Sequence, residues 1–244
     1  MTARLTLSTA LRVLLQIRND KRTIAILLIV PCVLLGIVAW MYTDQPMVID
    51  HTGPLLLGIF PLFVMFLVTS VATLRERQSG TLERLMTTPI RRGDFVLGYA
   101  LAFAALATLQ ALVLTGFAVW VCGMDVKGSL WLVIVVAVLD AVLGTALGLA
   151  ASSLAATEFQ AVQMMPVVIL PQLLTGGFIM PRDQMPTALE YFSRAMPLTY
   201  GMEAQQDLAA GATFSGVQGA IGVIVLFIIG SLVLGSLTLH RRTP

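Results

Sequence analysis

A chain of 244 residues with 57% hydrophobic and only 11% charged side chains carries about half the charge of an average water-soluble domain. With a mean hydropathy of +0.90, this composition excludes a soluble core of this size and makes lipid the solvent for most of the surface. The net charge of +2 excludes little by itself, and the two cysteines, Cys32 and Cys122, give neither a disulfide framework nor metal-ligand spacing.

The first element in chain order is Ala3–Arg22. On a helical wheel Leu7, Ala10, Leu11, Leu14 and Ile17 share one face, and Ser8, Arg12, Gln16 and Asn19 the other. This pattern predicts an amphipathic helix lying in the membrane interface over residues 3–22, either a plain anchor or a lever to something in the cytoplasm. The segment is too long and too charged for a signal-peptide n-region, and no A-x-A site follows the next apolar run, so that run is expected to be a retained first span.

A bilayer core needs about 20 apolar residues in a helix. Runs that meet this follow at 23–43, 52–74, between Asp94 and Asp125, at 128–157, between Glu158 and Arg182, and at 217–239. Six spans are expected. The basic residues Arg4, Arg12, Arg18, Lys21, Arg22, Arg75, Arg77, Arg84, Arg91, Arg92, Arg241 and Arg242 then fall on one side, and of the fifteen only Lys127, Arg182 and Arg194 on the other. Such asymmetry predicts both termini in the cytoplasm.

Two loops are more than connections. The cytoplasmic segment 75–94 can hold a short helix capped by Ser79 or Thr81, with Leu82, Leu85 and Met86 on one face, Glu83 in its first turn and Pro89 at its end. A charged helix projecting from the membrane is a docking surface, although the arginines alone would also serve as a topology anchor. The extracytoplasmic segment 180–216 is marked by Pro181, Pro186 and Pro197, with Met185–Ala195 and Tyr200–Ala210 as possible short helices. Neither can span, and a re-entrant or plug-like element covered by protein is expected, against the simpler alternative of a surface loop.

Several chemistries are excluded. The histidines, His51 and His240, both lie at the water boundary, so a base for an intramembrane serine protease and ligands for zinc are missing. Neither lysine, Lys21 or Lys127, follows a glycine-rich loop, so there is no P-loop. Asp140 is the one strong intramembrane acid. It heads a stripe with Gly144, Gly148 and Ser152, a small-residue packing face, which makes it a polar contact between helices with Gln110, Gln160 or Gln163 as candidate partners. A proton-coupling role for Asp140 stays open, as does a non-transporting membrane scaffold.

Three features coincide: the interfacial helix, the charged inner loop and the proline-marked outer loop. The run from Arg75 to Arg92, R-E-R-Q-S-G-T-L-E-R-L-M-T-T-P-I-R-R, resembles the E-R-E-x-G-T-L-E-x-L-x-x-T-P signature of the ABC-2 exporter permeases. The stretch from Gly176 to Pro186, followed by M-P-L-T-Y ending at Tyr200, resembles that family's outer-loop pattern, and R-N-D-K-R at 18–22 leading into a span with Pro31 is similar too. The resemblance covers essentially the whole chain as one transmembrane domain, 1–244.

It implies an all-α membrane protein of the bacterial cytoplasmic membrane, a half-transporter without catalytic residues. The implied partners are a second permease chain, identical or paralogous, membrane lipids, and a separate ABC ATP-binding subunit that carries ATP and Mg. No cofactor on this chain and no nucleic-acid partner are expected. ATPase coupling is carried onto Arg75, Glu76, Arg77, Gly80, Thr81, Glu83, Arg84 and Pro89; Gln78 departs from a commonly charged position. The path is implied at the dimer axis, lined mainly by spans two and five, where Phe60, Phe63, Phe66, Gln163, Met164, Met165 and Gln172 suit an amphipathic or hydrophobic cargo, drug or lipid-like, unless they face lipid or pack helices. Pro166 and Pro171 make a bend in span five plausible. Gly176, Phe178, Pro181, Met185, Pro186, Pro197 and Tyr200 are the expected outer gate. The resemblance implies export.

Overall fold

The computed structural model describes residues 3–78, 92–180 and 182–238, and among these every regular element is helical. In chain order they are α1 (Ala3–Asn19), α2 (Lys21–Met41), α3 (Pro46–Gln78), α4 (Arg92–Trp120), α5 (Leu130–Leu154), α6 (Glu158–Thr175), a 3-10 turn (Arg182–Gln184), α7 (Thr187–Arg194), α8 (Pro197–Ala210) and α9 (Phe214–Thr238). Local chemistry sets several of these boundaries. The Asp20 carboxylate accepts the backbone N–H groups of Arg22 and Thr23, both at 3.2 Å, and so starts α2 immediately after α1 ends. Thr157 caps α6 through the N–H of Gln160. Pro197 occupies the first turn of α8, and Gly211, at φ +111, closes that helix in the left-handed conformation that glycine adopts without strain.

Among the described residues, five helices are long and apolar enough to cross a membrane: α2, α3, α4, α5 and α9. The sixth expected span corresponds to α6, which is shorter and diluted by Gln160, Gln163, Gln172, Pro166 and Pro171. Burial ranks the five. In their most apolar windows, 72% of α3 and 61% of α5 are buried inside the chain, against 17% of α2 and 22% of α9. The centre is therefore the α3–α5 pair, with α2 and α9 at the periphery, where their apolar faces remain for lipid or another chain.

That pair is held by the small-residue stripe. Asp140, Gly144, Gly148 and Ser152 are all buried. A Cβ on Gly144 would collide with the carbonyl oxygen of Leu62, and one on Gly148 would stand 2.6 Å from that of Phe66. Backbones meet here because the side chains are absent, which is how helices associate when lipid removes the hydrophobic drive.

The N-terminal helix divides its apolar residues between two neighbours. Ala10, Val13 and Ile17, with Thr6 and Thr9, are buried in a cluster with Tyr99, Phe103 and Val68, while Leu7, Leu11 and Leu15 stay more than half exposed. The face expected from the wheel is thus split: Ala10 and Ile17 pack on protein, and Leu7 and Leu11 join Leu15 in a separate exposed strip. Gly98 on α4 allows the approach, its α-carbon facing Thr9.

Candidate coupling site at the end of α3

Helix α3 ends in four polar residues, Arg75 to Gln78, and each grips a different part of the bundle. Arg75 makes a bidentate pair with Glu158, Nε to Oε1 at 2.8 Å and Nη2 to Oε2 at 2.9 Å, reaching the first turn of α6. Glu76 turns inward, only 5% exposed, and accepts a hydrogen bond from Arg12 of α1 at 2.7 Å. Arg77 donates to the carbonyl of Ser152 at the end of α5. Gln78 donates to the carbonyl of Ala156 in the α5–α6 turn at 2.8 Å. Four successive residues reach around the helix because its rotation of about 100° per residue points them in different directions.

Arg12 joins two of these contacts. Its second amino group donates to the Tyr99 hydroxyl at 3.1 Å, so α1, α3 and α4 meet at one guanidinium. Burial, the largest single influence, opposes the Arg12 charge, but the hydrogen bond that Arg12 donates to Glu76, together with the charge of Glu76 and the contact with Tyr99, outweighs it and holds the group above its ordinary pKa. Among the expected coupling residues, Arg75, Glu76 and Arg77 are brought together here, whereas Gly80, Thr81, Glu83, Arg84 and Pro89 lie outside the described residues. Arg12, Tyr99 and Glu158 complete the cluster and were not singled out from the sequence as partners. The one available signal was the acidic residue beginning an apolar run at Glu158.

A second constellation lies deeper. Asp140 is fully buried, and neither of its carboxyl oxygens has a hydrogen-bond partner among the described residues. The expected glutamine partners are elsewhere: Gln160 accepts the N–H of Ala156 at 2.8 Å, Gln163 is exposed, and the buried Gln110 leaves both amide atoms unpaired. Instead Asp140 faces two glycines. A Cβ on Gly58 of α3 would stand 3.5 Å from Oδ2, and one on Gly201 of α8 would collide with the carboxyl group. No sequence pattern links Asp140 to Gly201, sixty-one positions away; only the docking of α8 against α5 brings them together.

Helix α8 fits the expected covered element. Leu198, Thr199, Met202 and Gln205 are all fully buried. Gln172 of α6 is a fastening: its carbonyl oxygen accepts the N–H of Leu198 at 3.2 Å, and its amide donates to Val168 at 2.8 Å. Gln205 donates to the carbonyl of Val133 on α5 at 3.1 Å, and Arg182 pairs with Glu203 and donates to Ser193 at 3.1 Å.

The remaining expected gate residues lie on this helix or before it in the chain. Gly176 ends α6 facing Met202 and Thr199, Pro197 is buried at the start of α8, and Tyr200 donates to the carbonyl of Arg194 at 2.8 Å. Met185 is half-buried and Pro186 precedes α7, while Phe178 is exposed; Pro181 is outside the described residues. Of the expected path residues, Phe66 is fully buried in the core, Gln172 is committed to α8, Phe60, Phe63, Met164 and Met165 are half-buried, and Gln163 is exposed.

Comparison with known proteins agrees in kind. The chain is 26% identical over 197 residues to ABC transporter G family member 20 of Dictyostelium discoideum, covering 80% of this chain and 27% of that one. It is 29% identical over 147 residues to the probable multidrug ABC transporter permease YbhR of Escherichia coli, covering 60% and 40%. To nodulation protein J of Rhizobium leguminosarum it is 27% identical over 171 residues, covering 69% and 64%. The chain thus spans between about a quarter and two thirds of the length of these relatives. Residues 5–209 match the family described as ABC-2 type transporter. With its apolar helical bundle and its match to nearly the whole chain, this protein belongs to the ABC-2 type transporter family of membrane permeases.

Proposed function

We propose that the chain is the permease half of an ATP-driven exporter, with α2, α3, α4, α5, α6 and α9 crossing the cytoplasmic membrane and both termini in the cytoplasm. Two such chains, identical or paralogous, pair in the membrane, and each receives force from a separate ATP-binding subunit through the segment after α3. ATP and Mg belong to that subunit. The observation that supports this reading best is the four-way fastening at Arg75–Gln78. A push on the segment following Gln78 enters α1, α5 and α6 together, rather than bending α3 alone.

The outward half of the mechanism rests on α8. Gln172 ties the far end of α6 to the start of α8, so a tilt of α6 begun at Glu158 carries the expected outer gate with it. The cargo is amphipathic or hydrophobic, in keeping with the half-buried Phe60, Phe63, Met164 and Met165 and with the multidrug name of a relative. The test is co-purification in mild detergent followed by transport assays. The wild-type chain should bring down an ATP-binding cassette subunit, and Glu83→Arg should abolish transport and its stimulation of ATP hydrolysis while membrane insertion persists. Normal export by that variant removes the docking role.

The unpartnered carboxyl of Asp140 favours one second reading, a proton-coupled transporter. Asp140→Asn separates the two: an ATP-driven exporter keeps transport, and a proton-coupled one loses it.

A further inference from the structure

A cavity of about 500 Å³ opens beside the coupling cluster, between α1, α2, α3, α4 and the start of α6. This is the size of a site for a small organic ligand. Its depth is apolar: Val68 and Phe103 are buried at its floor, and Val71 and Ala72 of α3 line its wall. Ile26 and Val162, 47% and 40% exposed, stand at its open side. The charged groups that line it are Asp20, Arg22, Arg75, Glu158 and the inward-facing Glu76.

Most of those charges are already committed. Arg75 and Glu158 hold each other, and Glu76 holds Arg12. Both oxygens of Asp20 are used, one by the N–H groups of Arg22 and Thr23 and the other by the Thr23 hydroxyl at 2.7 Å. The Arg22 guanidinium has no ion-pair partner among the described residues. Among the described residues, the uncommitted charge at this cavity is therefore the Arg22 guanidinium, beside an apolar slot; on α1, Leu7, Leu11 and Leu15 are exposed and would meet headgroups in a membrane interface.

We propose that this cavity binds an anionic phospholipid, one acyl chain lying along Val68, Val71 and Phe103 and the phosphate at Arg22. A guanidinium suits phosphate by its planar array of donors. The placement of the mouth in a lipid leaflet rests on the proposed function; the slot and the Arg22 guanidinium beside it do not. A lipid seated there touches α1, α3 and α6 beside their shared fastening, so its occupancy would set the stiffness of the path from the coupling segment.

The full-length chain in phosphatidylcholine nanodiscs tests this. The discs carry a small fraction of phosphatidylglycerol with a photoreactive acyl chain, and labelled peptides are mapped by mass spectrometry. Labels are expected within 67–72 and 103, with labelling weakened about fivefold by Arg22→Glu and blocked by Ala72→Trp, which fills the slot. Val162→Trp replaces Ala72→Trp if the latter does not fold. Added lysophosphatidylglycerol should compete and inorganic phosphate should not; competition by phosphate alone would make the site one for a free anion and overturn the proposal. Equal labelling by a photoreactive diacylglycerol, or undiminished labelling in the Trp variant, also overturns it. The assay contains no ATPase, so a failed pull-down and a failed labelling are separate results.

Discussion

Gly201 and Asp140 share one small space, and this makes a sharp statement about both. A methyl group on Gly201 has no room beside the carboxyl. Gly201→Ala should destabilise the chain by about 1–3 kcal/mol, the usual cost of overpacking, read as a lower midpoint of thermal unfolding in detergent. Asp140→Ala removes the obstructing atoms, so the double variant should recover part of that loss. Strict additivity of the two changes would show that they do not meet. Asp20 gives a second prediction at this scale. The hydrogen bonds from Thr23, first its hydroxyl and then its N–H, hold the carboxyl below its ordinary pKa. A lowered value means that the cap stabilises α2 above the usual carboxylate range and is lost as pH falls through the lowered pKa. Asp20→Ala should cost about 1 kcal/mol near neutral pH and progressively less in acid, where the wild type has lost the same contribution; equal penalties at both pH values would contradict the cap.

At the scale of elements, the end of α3 is where the helices are tied to one another. Arg12→Ala leaves the inward-facing Glu76 without its guanidinium. A hydrogen bond to a charged group is worth about 1.5–3 kcal/mol, and solvent at the one-third exposed Arg12 reduces this to about 1–2 kcal/mol. Protease sensitivity of the α1–α2 junction should rise in this variant. The Arg75–Glu158 pair is more exposed, and its removal should change stability by less than about 1 kcal/mol. On the proposed function its effect belongs to motion instead: Glu158→Gln should reduce stimulation of the proposed partner ATPase while thermal stability stays near wild type, and the exchange Arg75→Glu with Glu158→Arg should restore part of it. Unchanged stimulation in Glu158→Gln would remove α6 from the force path.

For the whole molecule, burial separates a scaffold from a surface. The α3–α5 pair is the rigid centre, α8 is docked into it, and α2 and α9 present exposed apolar faces. In a membrane those faces cost nothing against lipid, while the opposite faces of the same helices belong to the core through Leu35 on α2 and Val217, Ile224 and Ile228 on α9. Much of this was legible in advance. The apolar runs located five of the membrane-length helices, and the spacing of Asp140, Gly144, Gly148 and Ser152 marked the face that packs on α3. The proline-marked segment before α9 contained two short helices, as its composition indicated. Periodicity carries such information because each depends on residues near in sequence.

What the sequence could not determine were the pairings across distance. It placed Glu76 in a charged loop, and the fold turned it inward onto Arg12. It placed Asp140 on a small-residue stripe, and the docking of α8 supplied glycines in place of the anticipated amides. It described one apolar face on α1, and the packing of α4 divided that face between protein and solvent. The sequence by itself determined which segments are helices and which of their faces are small, apolar or charged, because those follow from local composition and a fixed helical period. Only the tertiary structure decided which charge meets which, because a side chain's partner depends on how helices far apart in the chain come to lie against one another.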